Sequence, residues 1–316
     1  MLKTGVQDIE ALADPRRLRT LFGGRRRISV ALYAKIAQAA DPERAAELIL
    51  EHFADARGAY KRTQRHRFDD FDARVLAFVA ERFAADAPLT VHDAGVSDAR
   101  TAAELFEKLA PRYAQLDYYA SDYDTELRVL RAGRVHAVLD RGGRVLELGA
   151  RPFVFHVVAR ERENFRLYPV NYAVLQYVER CRLPRLLEAE RAHRIEAETL
   201  TLASPRASAL AARDARFHLI AHDLRDPSPL PRPADLVRAM NVLNESYFDR
   251  AALASVVGRL FEGLGAGGLL ATGSNDGASS PVKGGIYRKG RRGFEVLWRS
   301  AEAHYAHDSI AGFAVP

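Results

Sequence analysis

A single cysteine, Cys181, gives the chain no partner for an intramolecular disulfide, so its 316 residues must be held by a packed core alone. No apolar run approaches the roughly 20 residues that a membrane-spanning helix needs. The opening segment, Met1 to Glu10, lacks the apolar stretch of a secretory signal. A repeat period and low-complexity tracts are also missing, which excludes a solenoid and a long disordered tail. His156 and His193 have no metal-ligand spacing with any cysteine or acid and read as structural. Together these absences predict a globular cytoplasmic enzyme with no membrane segment and no resident metal.

What is present is an ordinary globular composition, 48% hydrophobic and 28% charged, in a chain long enough for a Rossmann-like domain plus a smaller helical region. The net charge of +6 is concentrated near the start, where Arg16, Arg17, Arg19, Arg25, Arg26 and Arg27 cluster. Such a cluster can meet phosphates, but no aromatic residues interleave with it for base stacking. A solvated basic face is expected there, without a nucleic-acid partner.

The stretch that organises the chain runs from Leu89 to Thr101, Leu-Thr-Val-His-Asp-Ala-Gly-Val-Ser-Asp-Ala-Arg-Thr. Leu89 and Val91 suit a buried strand, Asp93 to Ser97 is turn chemistry, and Asp98 can cap a helix with Ala102, Leu105, Phe106 and Leu109 on its apolar face. Gly95, with small residues at Ser97 and Ala99, would let a ligand approach the backbone amides of the turn.

This pattern, Asp93-Ala-Gly95-Val-Ser97-Asp98-Ala99, resembles the first motif of the class I S-adenosylmethionine-dependent methyltransferases, an acid-x-Gly-x-Gly-x-Gly turn, with two glycines replaced. The likeness continues in order along the chain, over about residues 89 to 124 and 197 to 299. Leu116 to Asp124 is a β-rich run ending in acids, and Phe217 to Ala221 is a strand followed by His222-Asp223-Leu224. Asp235 to Phe248 is a strand leading into a polar loop, whose Arg-x-x-Asn-Val-Leu character resembles the chemotaxis-receptor methyltransferases. Gly263 to Gly268 then turns into the strand Leu269 to Gly273, and Gly285 to Lys289 pairs with Phe294 to Arg299.

The resemblance implies an α/β fold, a Rossmann-like, mostly parallel seven-stranded sheet with an antiparallel last strand. An N-terminal helical region over 1–85 would precede a methyltransferase-like domain over 86–316, carrying a β-hairpin insert at about 133–195. It implies S-adenosylmethionine as cofactor. The cofactor residues would be Asp93, Gly95, Ser97, Asp98 and Thr101 around the turn, Asp122 on the ribose with Tyr123 beside it, Asp223 on the adenine with Leu224, and Asn241. Asn241, Asn244 and Tyr247 would lie near the transferable methyl. No general base and no oligomeric state can be assigned, and the methyl acceptor is unidentified, a small molecule being favoured over a protein carboxylate. The rivals are a methyltransferase fold that binds without catalysing, a non-enzymatic module that binds nucleic acid through the N-terminal arginines, and an NAD(P)-dependent oxidoreductase. Asp93 and the closing antiparallel pair speak against the last.

Elsewhere, Asp41-Pro42 should cap a helix through Ala45, Leu48, Ile49 and Phe53, and Phe71 to Phe83 should form another. Val135–Leu139 and Val145–Leu148 around Asp140-Arg-Gly-Gly143 read as a hairpin, and Pro152 to Val158 as a third extended run. Gly143 to Ala150 could itself pass for the first motif, but Pro152 follows where a helix should start. Helices are expected between Tyr168 and Arg191.

Overall fold

The computed structural model describes residues 2–19, 25–55, 58, 61, 63–157, 166–277 and 279–315. They divide into two compact units, Met1–Arg62 with Glu126–Pro205, and Thr63–Thr125 with Arg206–Pro316. The boundaries expected at 85, 133 and 195 therefore fall elsewhere. The helix before the first motif belongs to the second unit, and the inserted segment begins with the strand Glu126–Ala132.

The second unit is built on seven strands, β1 (Leu89–Ala94), β2 (Leu116–Asp122), β3 (Phe217–Ala221), β4 (Ala234–Met240), β5 (Leu264–Ser274), β6 (Lys283–Lys289) and β7 (Phe294–Arg299). Their order in the sheet is β3-β2-β1-β4-β5-β6-β7. The pairs from β3 through β5 are parallel, while β6 runs against both β5 and β7. The first five strands thus follow the order of a doubly wound Rossmann-like sheet. The reversed strand is the next to last; β7 at the edge again runs with the first five. Residues 275–282 are fewer than the dozen or so that a parallel crossover needs, so after β5 the chain can only double back.

The longer helices that cover this sheet are α1 (Asp69–Arg82), α2 (Arg100–Leu109), α3 (Pro205–Arg213) and α4 (Arg250–Gly263), and a short helix, His307–Ala311, adds Ile310 to the α4-side core. Phe106 of α2 packs edge-on against Tyr118 and Phe217, with ring centroids 5.7 and 5.2 Å apart, which places α2 on the face that carries Tyr118. Leu253, Val256, Val257 and Leu260 of α4 pack with Ala94, Val237, Ala239 and Leu270 on the opposite face. Asp249 caps α4, its carboxylate accepting from the Ala252 amide at 2.8 Å.

Register puts a charge network inside the first of these faces. Arg238 of β4 lies opposite Asp93 of β1, and Tyr118 of β2 opposite Val91, so period-two alternation turns all three polar side chains to one side. Arg238, wholly buried, donates through Nη1 to Asp93 Oδ2 at 2.7 Å and through Nη2 to Asp72 Oδ2 of α1 at 3.1 Å. Its Nε lies 3.1 Å from Asp72 Oδ1 as an ion pair without hydrogen-bond alignment. The Tyr118 hydroxyl donates to Asp93 Oδ2 at 2.7 Å, and the Phe68 ring lies under the guanidinium, 5.3 Å from its carbon. One cation therefore serves two buried carboxylates. Burial pushes Asp72 up to about 6 despite Arg238 beside it.

In the first unit, the strands Glu126–Ala132, Val135–Leu139, Val145–Ala150, Phe153–His156 and Glu198–Thr201 form a five-stranded antiparallel meander. The hairpin expected from Asp140 to Gly143 is its centre, and Val158, the expected end of the third run, lies outside the described residues. One face holds Leu127, Val129, Val138 and Leu200 against Val6, Ile9, Ile28, Leu32, Ile49 and Phe53. The other holds Leu130, Leu139, Leu148 and Phe155 against Leu175, Val178 and Leu186 of the 169–191 helices. The N-terminal segment is less helical than expected. Before the capped helix Pro42–Glu51, where Asp41 accepts from the Arg44 amide at 3.0 Å, it forms the tight turns Ile9–Ala13 and Val30–Gln38 and a two-residue parallel pairing.

The core of this unit encloses Glu147. Its carboxylate accepts from Ser29 Oγ at 2.5 Å, His136 Nε2 at 2.9 Å and the Val30 amide at 2.8 Å, with His156 Nε2 3.6 Å away. Burial alone would raise this acid, but His136, hydrogen-bonded to it, and His156 beside it outweigh burial and hold the group far below its ordinary 4.5.

Two stability predictions follow from these buried acids. Glu147→Gln should lose about 2 kcal/mol or more, since hydrogen bonds to a charged group disappear. Because the folded-state value is depressed, the loss should be complete above pH 4.5 and shrink as the pH falls below it. Asp72 has the opposite sign. Its folded-state value is raised, so its stabilising protonated form is lost as the pH climbs through about 6. Asp72→Asn, which leaves Arg238 one carboxylate, should therefore gain on the wild type between pH 4 and pH 6, by on the order of 2 kcal/mol. Denaturant unfolding across pH checks both; a pH-independent difference for either variant would contradict the account.

Candidate functional site

All five parallel strands end on the same edge of the sheet, and the chain winds away from β1 in both directions, to β2 on one side and β4 on the other. In sheets of this kind the loops leaving such neighbouring strands diverge and open a crevice at the carboxyl edge. The loop after β1 is the turn 95–99, the loop after β2 begins at Asp122 and Tyr123, and the loop after β4 begins at Asn241.

The turn has the backbone of a glycine-rich loop although only one glycine remains. Gly95, Ser97 and Ala99 all have left-handed φ, +73°, +57° and +57°, alternating with residues of ordinary hand. Alternation of this kind curls successive amides toward one point and makes an anion-binding hollow. The Asp122 carboxylate already uses it: Oδ2 accepts from the Ser97 amide at 2.7 Å, and Oδ1 from the Asp124 amide at 3.2 Å. Ser97 Oγ, enclosed in the same turn, has no hydrogen-bond partner among the described residues. The glycine is required by protein packing, because a Cβ on Gly95 would come within 2.6 Å of Val242. Its smallness admits the loop after β4; the sequence reading had reserved that space for a ligand.

The expected site residues separate into two groups. Asp122, half-buried, Tyr123, 43% exposed, Asp223 and Asn241 lie at the carboxyl edge with Gly95 and Ser97. Asp93 and Asp98 do not face it. Asp93 is committed to Arg238 and Tyr118, and Asp98 is fully buried against Arg100, with their side chains 3.3 Å apart. Asp98 also accepts from the Arg100 amide at 3.2 Å, so it does brace the helix start as expected, although Ala99 is the capping residue. Thr101 is buried and its carbonyl accepts from Arg238 at 3.4 Å, and Leu224 is buried in the α4-side core. These four residues support the crevice from behind. The strand pattern concealed this, because an acid at a strand end reads the same whether it faces solvent or a buried arginine on the next strand.

Asp223 forms a two-pronged pair with Arg225, at 2.9 Å to Nε and 2.5 Å to Nη2. Asn241 has left-handed φ, +57°, and exchanges hydrogen bonds with Asn275, accepting from its amide at 2.9 Å. Asn244 donates to the Asn241 carbonyl at 2.7 Å, and Tyr247 packs against the α4-side core. Two residues not singled out in the sequence join them. Asn275, at the end of β5, donates to the Arg67, Gly277 and Ser280 carbonyls, and Arg67 donates to Asn275 Oδ1 at 2.8 Å and to its carbonyl at 2.7 Å. The only sequence signal for Asn275 was a polar residue directly after an apolar strand. Behind β1 and β2, His92 is held neutral, burial pushing it down to about 3, and bonds Ser121 Oγ at 2.8 Å.

Left-handed φ costs a non-glycine residue about 1 to 2 kcal/mol. At Ser97 the cost adds to that of an enclosed hydroxyl without a partner. Ser97→Gly should therefore stabilise the second unit by about 1 kcal/mol after the extra chain entropy of glycine is counted. Thermal unfolding measures it, and a variant no more stable than the wild type would show that the turn stores no strain.

No family model matches the chain, and no curated protein sequence does. Many solved methyltransferase structures are similar to it at low identity. A sugar N-methyltransferase, KedS8 from Streptoalloteichus sp. ATCC 53650, is 11% identical over 66% of this chain, with a TM-score of 0.31. The match spans about half, 48%, of the length of KedS8. The N-methyltransferase NodS from Bradyrhizobium japonicum WM9, in complex with S-adenosyl-L-homocysteine, is 12% identical over 72% of each chain, with a TM-score of 0.31. An O-methyltransferase family protein from Burkholderia thailandensis is 13% identical over 76% of this chain and 43% of its own, with a TM-score of 0.29. Likeness at this depth establishes no shared activity, and the chain's own geometry carries the reading that follows.

Proposed function

We propose that the protein is an S-adenosylmethionine-dependent methyltransferase acting on a small-molecule acceptor, and that its cofactor lies across the turn 95–99 and the ends of β2, β3 and β4. One observation carries this reading. The turn after β1 keeps the left-handed backbone of a glycine loop at all three alternate positions, and the strand-end carboxylate of Asp122 lies against it. Conformation is thus retained where the residue type is not, which sequence drift alone does not explain, since each left-handed residue costs energy.

The residues present fit such a cofactor. Asp122, set against the turn by the Ser97 and Asp124 amides at the end of β2, would take the ribose hydroxyls. The enclosed Ser97 hydroxyl offers a donor to the methionine part. Tyr123 presents an exposed ring beside Asp122, suited to an adenine face, with Asp223 at the end of the next strand for the amino group. When bound, the cofactor supplies a methyl group with a neutral thioether as leaving group, so the protein's task is alignment of the acceptor. Asn241, Asn244 and Tyr247 would position it, with Asn241 held in a fixed orientation by Asn275. A carboxylate acceptor would need no base, whereas an amine or hydroxyl acceptor would need one with a suitable pKa.

Titration with S-adenosylhomocysteine, with NAD as the comparison, tests the reading. At about 100 times its dissociation constant the ligand should stabilise the protein by about 2.7 kcal/mol. Asp122→Ala should weaken binding at least about tenfold, the equivalent of one lost hydrogen bond to a charged group. Asp124→Ala is the control for a strand end placed two residues too early. A melting temperature unmoved by S-adenosylhomocysteine, or raised by NAD instead, would overturn the assignment.

A further inference from the structure

A second constellation lies between the segment that leads into α1 and the first turns of α2. Glu104 of α2 is 5% exposed, yet among the described residues both of its carboxylate oxygens share a single donor, the His66 amide, at 3.2 Å each. A buried carboxylate is ordinarily met by several donors or by a cation. The His66 side chain is exposed and its backbone is left-handed, with φ of +58°. Its Nδ1 lies 2.9 Å from Asp69 Oδ2. One ligand atom from each of His66, Asp69 and Glu104 falls within 4.8 Å of the other two.

We propose that His66, Asp69 and Glu104 form a binding site for a divalent transition-metal ion of the zinc class, an assignment that goes beyond the methyl-transfer reading and does not depend on it. Bonds of about 2.0 to 2.2 Å to nitrogen and carboxylate oxygen place neighbouring ligand atoms about 3 to 3.5 Å apart. The His66–Asp69 pair, at 2.9 Å, is close to this spacing, and a carboxylate oxygen of Glu104 lies within 4.8 Å of both. One imidazole with two carboxylates suits zinc, cobalt or nickel better than magnesium or calcium, which favour oxygen alone. The exposure of His66 leaves water to complete the coordination. The site has an internal competitor, since Lys108 Nζ lies 2.6 Å from Asp69 Oδ1. Its charge opposes an incoming cation, while it holds the carboxylate with Oδ2 turned toward His66. An ion here would join α2, which starts at the turn of the candidate cofactor site, to the segment of Arg67, whose guanidinium holds Asn275 at the crevice edge.

The test uses full-length, untagged protein stripped with chelator and titrated with cobalt(II), followed by its visible absorption and by displacement with zinc. One cobalt ion per chain should bind with a d–d spectrum of mixed nitrogen and oxygen ligation, and zinc should abolish the signal. His66→Ala and Glu104→Gln should each weaken binding at least tenfold; the glutamine still accepts the His66 amide, so the fold is kept. Lys108→Met should bind more tightly than the wild type. Absence of a saturable spectrum, or equal affinity in the wild type and all three variants, would mean an adventitious ion only and would overturn the proposal. Binding that the Lys108 substitution leaves unchanged or weakens would also count against it.

Discussion

The second unit depends on a single guanidinium. Arg238, on the central strand β4, has no access to solvent and is bound by Asp93 on β1 and Asp72 on α1, with the Thr101 carbonyl of α2 and the ring of Phe68 closing around it. Four elements meet at this cation, three of them the ones that deliver the loop after β1, the start of α2 and the loop after β4. Truncating it would leave two carboxylates buried without a counter-charge, which is far more costly than losing an exposed pair. The network therefore sets the position of the strand ends from behind and leaves the open edge of the sheet to other residues.

That division of labour explains the separation among the acids. Asp93 and Asp98 keep the turn in place, whereas Asp122 is presented to its amides from the neighbouring strand. A turn with one glycine can then keep the shape of one with three, because the surrounding contacts over-determine the left-handed residues. Val242 contributes by filling the space beside Gly95, so that the loops after β1 and β4 are fitted to one another before any ligand is present.

The first unit solves a different problem by the same means. A five-stranded meander with apolar residues on both faces needs a layer on each side, and the N-terminal turns and the 169–191 helices supply them. Its buried acid, Glu147, is satisfied by two histidines, a serine and an amide drawn from three separate stretches of chain. This fixes the N-terminal segment to the sheet and accounts for a close approach at Gly149, where a Cβ would overlap the His136 ring.

Much of this architecture was legible from residue order alone. Apolar periodicity located α1, α2 and the strands of the large sheet. Asp41 marked its helix start through a local hydrogen bond, and Asp140 to Gly143 marked a hairpin. Such signals are short in range, so a linear reading can recover them. The closing pair, Gly285 to Lys289 with Phe294 to Arg299, was equally legible, since two strand-like runs lie either side of a short glycine-bounded turn. Tertiary structure alone decided which acids face the crevice and which face Arg238, since that depends on register between strands more than a hundred residues apart in the chain. It likewise decided that Ser97 and Ala99 adopt a backbone normally left to glycine, that Asn275 and Arg67 join the site, and that Glu147 is paired rather than exposed. Each of these outcomes depends on what lies across a strand or helix boundary, and burial and pairing at such boundaries appear only once the chain has folded.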